Sequence, residues 1–103
     1  MVTRGEVWWY EHPEAARRPY LVLTRAEAVP VLNQVLAVPA TRTIRNIATE
    51  VALGRDDGMP DECALSLDNV TLIRTAGCTE RITVLRAEVL EQVCAALRFA
   101  IAC

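Results

Sequence analysis

Apolar residues in this chain come in short bursts separated by turn-forming residues, and no burst before residue 86 sustains a helical repeat. The bursts are 5–10 (GEVWWY), 17–24 (RRPYLVLT), 31–38 (VLNQVLAV), 49–53 (TEVAL), 63–67 (CALSL), 70–73 (VTLI) and 81–84 (RITV). Valine, leucine, threonine and aromatic residues dominate them, and Pro, Gly, Asn or Asp lies between most neighbours, which is the pattern of strands joined by turns. Proline is tolerated at the first residue of a strand, where no ladder hydrogen bond is needed, so Pro19 opens its strand rather than breaking it. We read this run as a central strand whose leading residues, Arg17 and Arg18, carry fixed positive charge to the rim of the sheet.

Between the strands, a helical turn capped by Thr24 is expected over 24–28, stopped by Pro30. Pro39 is expected to end the third strand. The segment 54–62 (GRDDGMPDE) reads as a solvated surface turn, Asp68-Asn69 as a turn or bulge, and 75–79 as a loop around Gly77. From 86 to 102 the period changes: Val89, Leu90, Val93, Cys94, Leu97 and Ile101 recur at helical spacing, while Glu88, Glu91, Gln92 and Arg98 fall largely off that stripe. Glu88 and Glu91 near its start complement the helix dipole. No good capping residue precedes it, Thr83 being the only nearby candidate. Many short strands with one terminal helix predict a mainly β (α+β) fold: an antiparallel, strongly bent sheet packed by that helix, with a small SH3-like barrel as the simplest closure.

A chain of 103 residues suits one domain, and no linker divides residues 1–103. The core has to be aliphatic, because 52% of residues are hydrophobic and only 5% aromatic. No apolar run approaches the roughly 18 residues of a membrane span, and the first residues lack a signal-peptide pattern, so a soluble cytoplasmic protein is expected. The net charge of −2 argues against a uniformly basic nucleic-acid binder. Its distribution is uneven: residues 1–45 hold six Arg against four acids, residues 46–103 five Arg against nine. Every basic residue is Arg, so each basic site has a planar fork that can bind two oxygens of one anion.

The usual catalytic constellations are missing. There is no glycine-rich phosphate loop and no nucleophile elbow. The single His12 stands in a proline-flanked loop and has no second histidine or lysine to work with. Cys63, Cys78, Cys94 and Cys103 lack the spacing of a zinc site, and Cys63 and Cys94 read as small buried apolar groups. The acids 56, 57, 61 and 62 read as a hairpin tip rather than a metal site, and no cofactor or metal is called for. What remains are two basic, polar segments: Arg17-Arg18-Pro19 and Thr41-Arg42-Thr43-Ile44-Arg45-Asn46. If their strands are neighbours, Arg18 and Thr41 face one phosphate, the first neutralising charge and the second donating a hydrogen bond.

The order Arg4-Gly5-Glu6-Val7-Trp8, Arg17-Arg18-Pro19 with Leu21-Val22-Leu23, Val38-Pro39-Ala40-Thr41 with Thr43, Ala48-Thr49-Glu50-Val51 and Leu67-Asp68-Asn69-Val70 resembles the MazF/PemK family. These are toxins of bacterial toxin–antitoxin pairs that cut RNA, and the resemblance runs from Arg4 to the terminal helix. It implies an SH3-like barrel with a C-terminal helix, a two-fold homodimer, and metal-independent, sequence-specific cleavage of single-stranded RNA. By position, Arg18 matches the family's catalytic arginine and Thr41 its partner Thr or Ser. Thr43, Arg45 and Asn46 fall in the loop that touches RNA, with Arg17 and Arg42 beside them, and Asp68 and Asn69 match a pair lining the base groove. Trp8, Trp9, Tyr10 and Tyr20 are candidates for stacking on bases. The loop before Arg17 lacks the glycines many members have, and Ala40 replaces a larger aliphatic; both departures bear on which RNA sequence is preferred.

The implied chemistry is attack of a ribose 2′-hydroxyl on its own 3′-phosphate, leaving a 2′,3′-cyclic phosphate and a 5′-hydroxyl. The implied partner is an antitoxin whose acidic, disordered tail folds into the same groove, attracted by Arg17, Arg18, Arg42 and Arg45. Two other readings compete. One is a non-catalytic toxin of the same fold that binds DNA gyrase through its C-terminal helix; the other is a plain SH3-like interaction module. The first needs neither Arg18 nor Thr41; the second predicts binding without turnover.

Overall fold

The computed structural model describes residues 2–102, so Cys103 lies outside the described residues. Seven strands and one helix follow in order: β1 (Glu6–Tyr10), β2 (Arg18–Val22), β3 (Gln34–Thr41), β4 (Glu50–Leu53), β5 (Cys63–Ser66), β6 (Thr71–Arg74), β7 (Cys78–Val84) and α1 (Ala87–Ile101). All pairings are antiparallel, in the order β4-β5-β3-β2-β1-β7, with β6 on β3 as well. The expected antiparallel sheet with a terminal helix is therefore present. No ladder joins β4 to β7 among the described residues, so the arrangement is barrel-like but open.

Side chains alternate across a strand, and here both faces are covered. Val7, Leu21, Val38 and Ala40 face one core, which the α1 residues Val89, Val93 and Ala96 close. Tyr10, Val22, Val35 and Ala37 face a second, closed by Val2, Val29 and Ile73. Double burial is why the central runs read as nearly continuous apolar sequence.

Four expectations need correction. The third strand is Gln34–Thr41, not 31–38, and Pro39 lies inside it. On one edge β3 pairs with β6 through Gln34–Ala37 and with β5 through Ala40 and Thr41. Pro39 sits in the gap between these ladders, where a missing N–H costs little. Thr24 caps no helix: its Oγ1 accepts the Leu36 N–H at 2.7 Å, and a 3-10 turn, Val29–Val31, includes Pro30 at its second position. The last strand begins at Cys78 rather than Arg81, because the whole segment pairs with β1 from Glu6↔Val84 to Tyr10↔Cys78 across two irregularities. On α1 the buried stripe is Val89, Val93 and Ala96, whereas Ile101 is exposed and Cys94 only half-buried. The helix has no side-chain cap, as its sequence suggests; the Thr83 hydroxyl instead donates to the Asp57 carbonyl at 2.9 Å. Among the described residues no helix is long and apolar enough to cross a membrane.

Candidate functional site

The two basic segments meet because of strand register. In the β2–β3 pair Tyr20 opposes Pro39, Leu21 opposes Val38 and Val22 opposes Ala37. Carried two residues outward, that register sets Arg18 against Thr41, both still inside their strands and on one face of the sheet. Both line a cleft of about 430 Å³, together with Arg17, Arg42 and Thr43. Pro19 and Ala40 of the same two strands, with Trp9 of the neighbouring β1, add apolar surface to it.

The opposite wall comes from the turn between β4 and β5: Met59, Pro60, Asp61 and the first residue of β5, Cys63. That turn is anchored at several points. A short 3-10 turn, Arg55–Asp57, ends at Gly58, whose φ of 90° lies in the left-handed region that favours glycine. Asp57 accepts the Gly54 N–H at 2.9 Å and pairs with Arg86 at 3.5 Å, while its carbonyl takes the Thr83 hydroxyl. Buried Met59 then plugs the turn into the core under α1. Sequence reasoning missed this wall, since a segment of Gly, Pro and acids resembles a solvated tip. The one signal was Met59, an apolar residue with no reason to sit in an exposed turn.

Within the cleft the arginines differ in their engagements. The Arg17 guanidinium carbon lies 4.3 Å from the centre of the Trp9 ring, a cation–π contact that parks it on the indole. Arg42 pairs with Asp61 at 3.2 Å, and both side chains are mostly exposed, so the bridge contributes little and exchanges readily. The Arg18 guanidinium makes no hydrogen bond or ion pair with any described residue. Thr41 Oγ1 accepts the Thr43 N–H at 3.2 Å, which orients the hydroxyl while leaving its own proton available to donate. The result is an uncommitted guanidinium and an oriented hydroxyl in one cleft, suited to an anion with two or more oxygens.

Cys63 is no nucleophile in this setting. Burial, reinforced by the negative charges of Glu62, Asp57 and Asp61, pushes its thiol up to about 11, so it stays protonated near neutrality. Cys63, Cys78 and Cys94 are all free thiols. Burial also raises the Cys78 thiol. His12 accepts the Glu14 N–H at Nδ1, is exposed, and does not line the cleft. Among the described residues no three His, Cys, Asp or Glu side chains converge as a metal site would require.

Four of the expected site residues lie outside this cleft. Arg45 and Asn46 both donate backbone N–H groups to Glu50 Oε1, at 2.8 and 3.2 Å, and Arg45 Nη1 stands 3.6 Å from Glu50 Oε2. With its side chain only 3% exposed, Glu50 thus clamps the end of the β3–β4 loop, a role its sequence position did not announce. Asn46 holds a left-handed φ of 54° there. Asp68 and Asn69 occupy the 3-10 turn Leu67–Asn69 beyond the far end of β5 from Cys63. Asp68 Oδ2 accepts the Thr49 hydroxyl at 2.6 Å, and Asn69 donates to the Ser66 hydroxyl at 2.8 Å. Of the aromatic candidates only Trp9 lines the cleft; Tyr10 and Tyr20 pack edge to face 5.3 Å apart in the second core.

Comparison with known proteins gives a consistent result. A family model described as PemK-like, MazF-like toxin of type II toxin–antitoxin system matches residues 3–101. A probable endoribonuclease MazF5 of Mycobacterium tuberculosis H37Rv is 41% identical over 101 residues, covering 97% of this chain and 93% of the relative. A probable endoribonuclease MazF2 of the same species is 37% identical over 102 residues, covering 97% and 98%. Among solved structures, the Mycobacterium tuberculosis toxin MazF-mt6 superposes with a TM-score of 0.86 at 28% identity, over 94% of this chain and 96% of that one. A mycobacterial endoribonuclease in complex with its cognate antitoxin superposes at 0.90 over 99% and 96%; at 22% identity this likeness speaks to the fold alone.

Proposed function

Because the chain belongs to the family of PemK-like, MazF-like toxins of type II toxin–antitoxin systems, we propose that it is an endoribonuclease acting on single-stranded RNA, with Arg18 and Thr41 holding the scissile phosphate. The observation that carries this reading is the unpaired Arg18 guanidinium opposite the oriented Thr41 hydroxyl in one cationic cleft.

In the reaction the ribose 2′-oxygen forms a bond to the adjacent phosphorus and the bond from phosphorus to O5′ breaks. The 2′-hydroxyl proton is lost to solvent, the departing oxygen takes one up, and the products carry a 2′,3′-cyclic phosphate and a 5′-hydroxyl. Negative charge gathers on the non-bridging oxygens in the transition state. Donors already aimed at those oxygens are usually the largest catalytic contribution, one such donor being worth about 10²–10³ in rate. Arg18 supplies fixed charge and Thr41 one hydrogen bond. A guanidinium holds its proton too tightly to be a good proton donor, so its part is electrostatic. No metal enters this scheme. Arg17 and Arg42 steer and hold flanking phosphates, while Thr43, Arg45, Asn46, Asp68 and Asn69 contact RNA farther along the strand.

The chain functions as one cytoplasmic unit over residues 1–103, paired with a second copy and silenced by an antitoxin. The antitoxin's acidic tail is drawn to the field of Arg17, Arg18 and Arg42 and competes with RNA for the cleft. The test is incubation of the purified chain with a long, mixed-sequence RNA in EDTA, followed by mapping of fragment ends. Cyclic-phosphate and 5′-hydroxyl ends, lost in R18A, are expected. Intact RNA, or unchanged cleavage by R18A, would overturn the reading.

A further inference from the structure

Asp61 is the single acid lining a cleft otherwise furnished for anions. It stands with three arginines, two threonine hydroxyls and apolar groups, and its Oδ2 takes an Arg42 Nη2 hydrogen bond at 3.2 Å. A carboxylate there weakens the hold on every phosphate by like-charge repulsion. The Arg42 contact occupies Oδ2 and is mostly exposed, which leaves the carboxylate able to take donors from a bound molecule. The sugar–phosphate chain offers only single O–H donors, its 2′-hydroxyls, whereas a nucleobase edge can present two adjacent N–H groups that match both carboxylate oxygens.

Resting on the nuclease reading above, we infer that Asp61 reads the base beside the scissile phosphate, and that the base it selects is guanine. A carboxylate accepts and cannot donate, so it is matched by two neighbouring N–H groups. Guanine presents such a pair on its Watson–Crick edge, at N1 and the 2-amino group. Adenine and cytosine each place a bare ring nitrogen beside their amino group, which faces the carboxylate with a lone pair. Uracil offers one N–H between two carbonyls. Single-stranded RNA leaves these edges open.

The anchorage of the wall suits the task. Asp61 follows Met59, which is buried in the core, and precedes Cys63, which is paired in β5 opposite Leu53. The segment thus has few ways to move, and a base reader has to be held still. The partner Arg42 is 84% exposed and lightly held, so guanine displaces it at small cost and frees its guanidinium for a phosphate. Asp61 is half exposed as well, so its replacement leaves the core intact.

The test titrates the full chain with the 3′-monophosphates of guanosine, adenosine, cytidine and uridine, each of which joins one base to one phosphate. Guanosine 3′-phosphate should bind about tenfold tighter than the adenosine compound. In D61N the order should invert toward adenosine and cytidine, because an amide accepts from the exocyclic amino group of either base and donates to the bare ring nitrogen beside it. In D61A the four should become equal. No guanosine advantage in the wild type, or one that persists in D61A, would overturn the proposal, as would a D61A effect equal on all four. Cleavage of RNA is measured alongside. Guanosine selectivity without cleavage would uphold Asp61 and remove the nuclease reading; cleavage without selectivity would do the reverse.

Discussion

Arg17 lies against the face of Trp9, 4.3 Å from guanidinium carbon to ring centre, while Arg18 beside it reaches the cleft with no partner. Both arginines line the same cleft, one parked on the indole and the other presented without a partner. The parked charge still raises the local potential without the entropy cost of holding a loose side chain. Replacing Trp9 with Ala removes about 0.5–1 kcal/mol of cation–π attraction at this exposed site. We expect W9A to raise KM for a fluorogenic RNA by a few-fold with kcat little changed. A fall in kcat alone would place Trp9 in the chemistry instead.

The Arg18–Thr41 pairing predicts a specific pattern of losses. R18A should lower kcat by about 10²–10³, the usual effect of deleting one preorganised donor. R18K keeps the charge but loses the two-pronged fork, so it should recover only part of that. T41V keeps the shape and removes the hydroxyl, and should lower kcat less than R18A. With both groups on one phosphate, as proposed, the double variant should fall short of the product of the single losses. An RNA with a single 2′-deoxy sugar at the cut site should stay intact. Single-turnover kinetics on matched substrates checks all five statements.

How much of this was legible depended on what each residue answered to. Double burial wrote itself into the runs around Leu21 and Val38, and α1 was visible as a change of period. Pro39 was misread because its tolerance depends on which strand edge carries a ladder at that point, a tertiary fact. Cys78 and Thr79 were missed because an edge strand is held by backbone pairing and needs no apolar pattern. Ile101 fell on the apolar side of a drawn helix, yet it is exposed in the helix's last turn. At the site, the residues paired Arg18 with Thr41 only on the condition that their strands are neighbours; the family resemblance pointed to the same pair, and register supplies the physical reason. Met59 and Asp61 stayed hidden because the wall they form exists only after Asp57, Thr83 and Arg86 tie a polar turn to the strand and helix behind it.

Glu50 makes a prediction about the loop that carries Thr43, Arg45 and Asn46. Its Oε1 takes two backbone N–H groups, and its Oε2 is buried with no hydrogen bond of its own, facing Arg45 at 3.6 Å. In E50A the two N–H groups lose their acceptor, at a cost of about 1–3 kcal/mol, moderated by their access to water. Hydrogen exchange at amides 45 and 46 should accelerate by at least tenfold, and urea denaturation should shift to lower concentration. E50Q keeps an acceptor oxygen and should restore most of the protection. Equal exchange in E50A and the wild type would show that the loop is ordered by something else.

Glu6 predicts how stability responds to acid. It is buried, and burial by itself pushes its carboxyl upward. The Trp8 indole N–H at 3.0 Å, the Thr3 backbone N–H at 2.8 Å and the Arg81 guanidinium at 3.2 Å more than offset that push, and hold the group below its ordinary value of 4.5. A carboxyl depressed in the folded state binds fewer protons there than in the unfolded chain. Its contribution is therefore complete above that ordinary value and disappears as the pH falls through the lower folded one. Because Thr3, Glu6 and Trp8 tie the N-terminal segment to β1, and Arg81 ties β7 to it, protonation should loosen that side of the sheet. E6Q keeps the size and one acceptor oxygen but has no charge to lose. Urea midpoints taken from pH 7 down to pH 3 should fall more steeply in the wild type than in E6Q, the two curves converging at the acid end. Parallel curves would show that this carboxyl contributes nothing to the acid sensitivity.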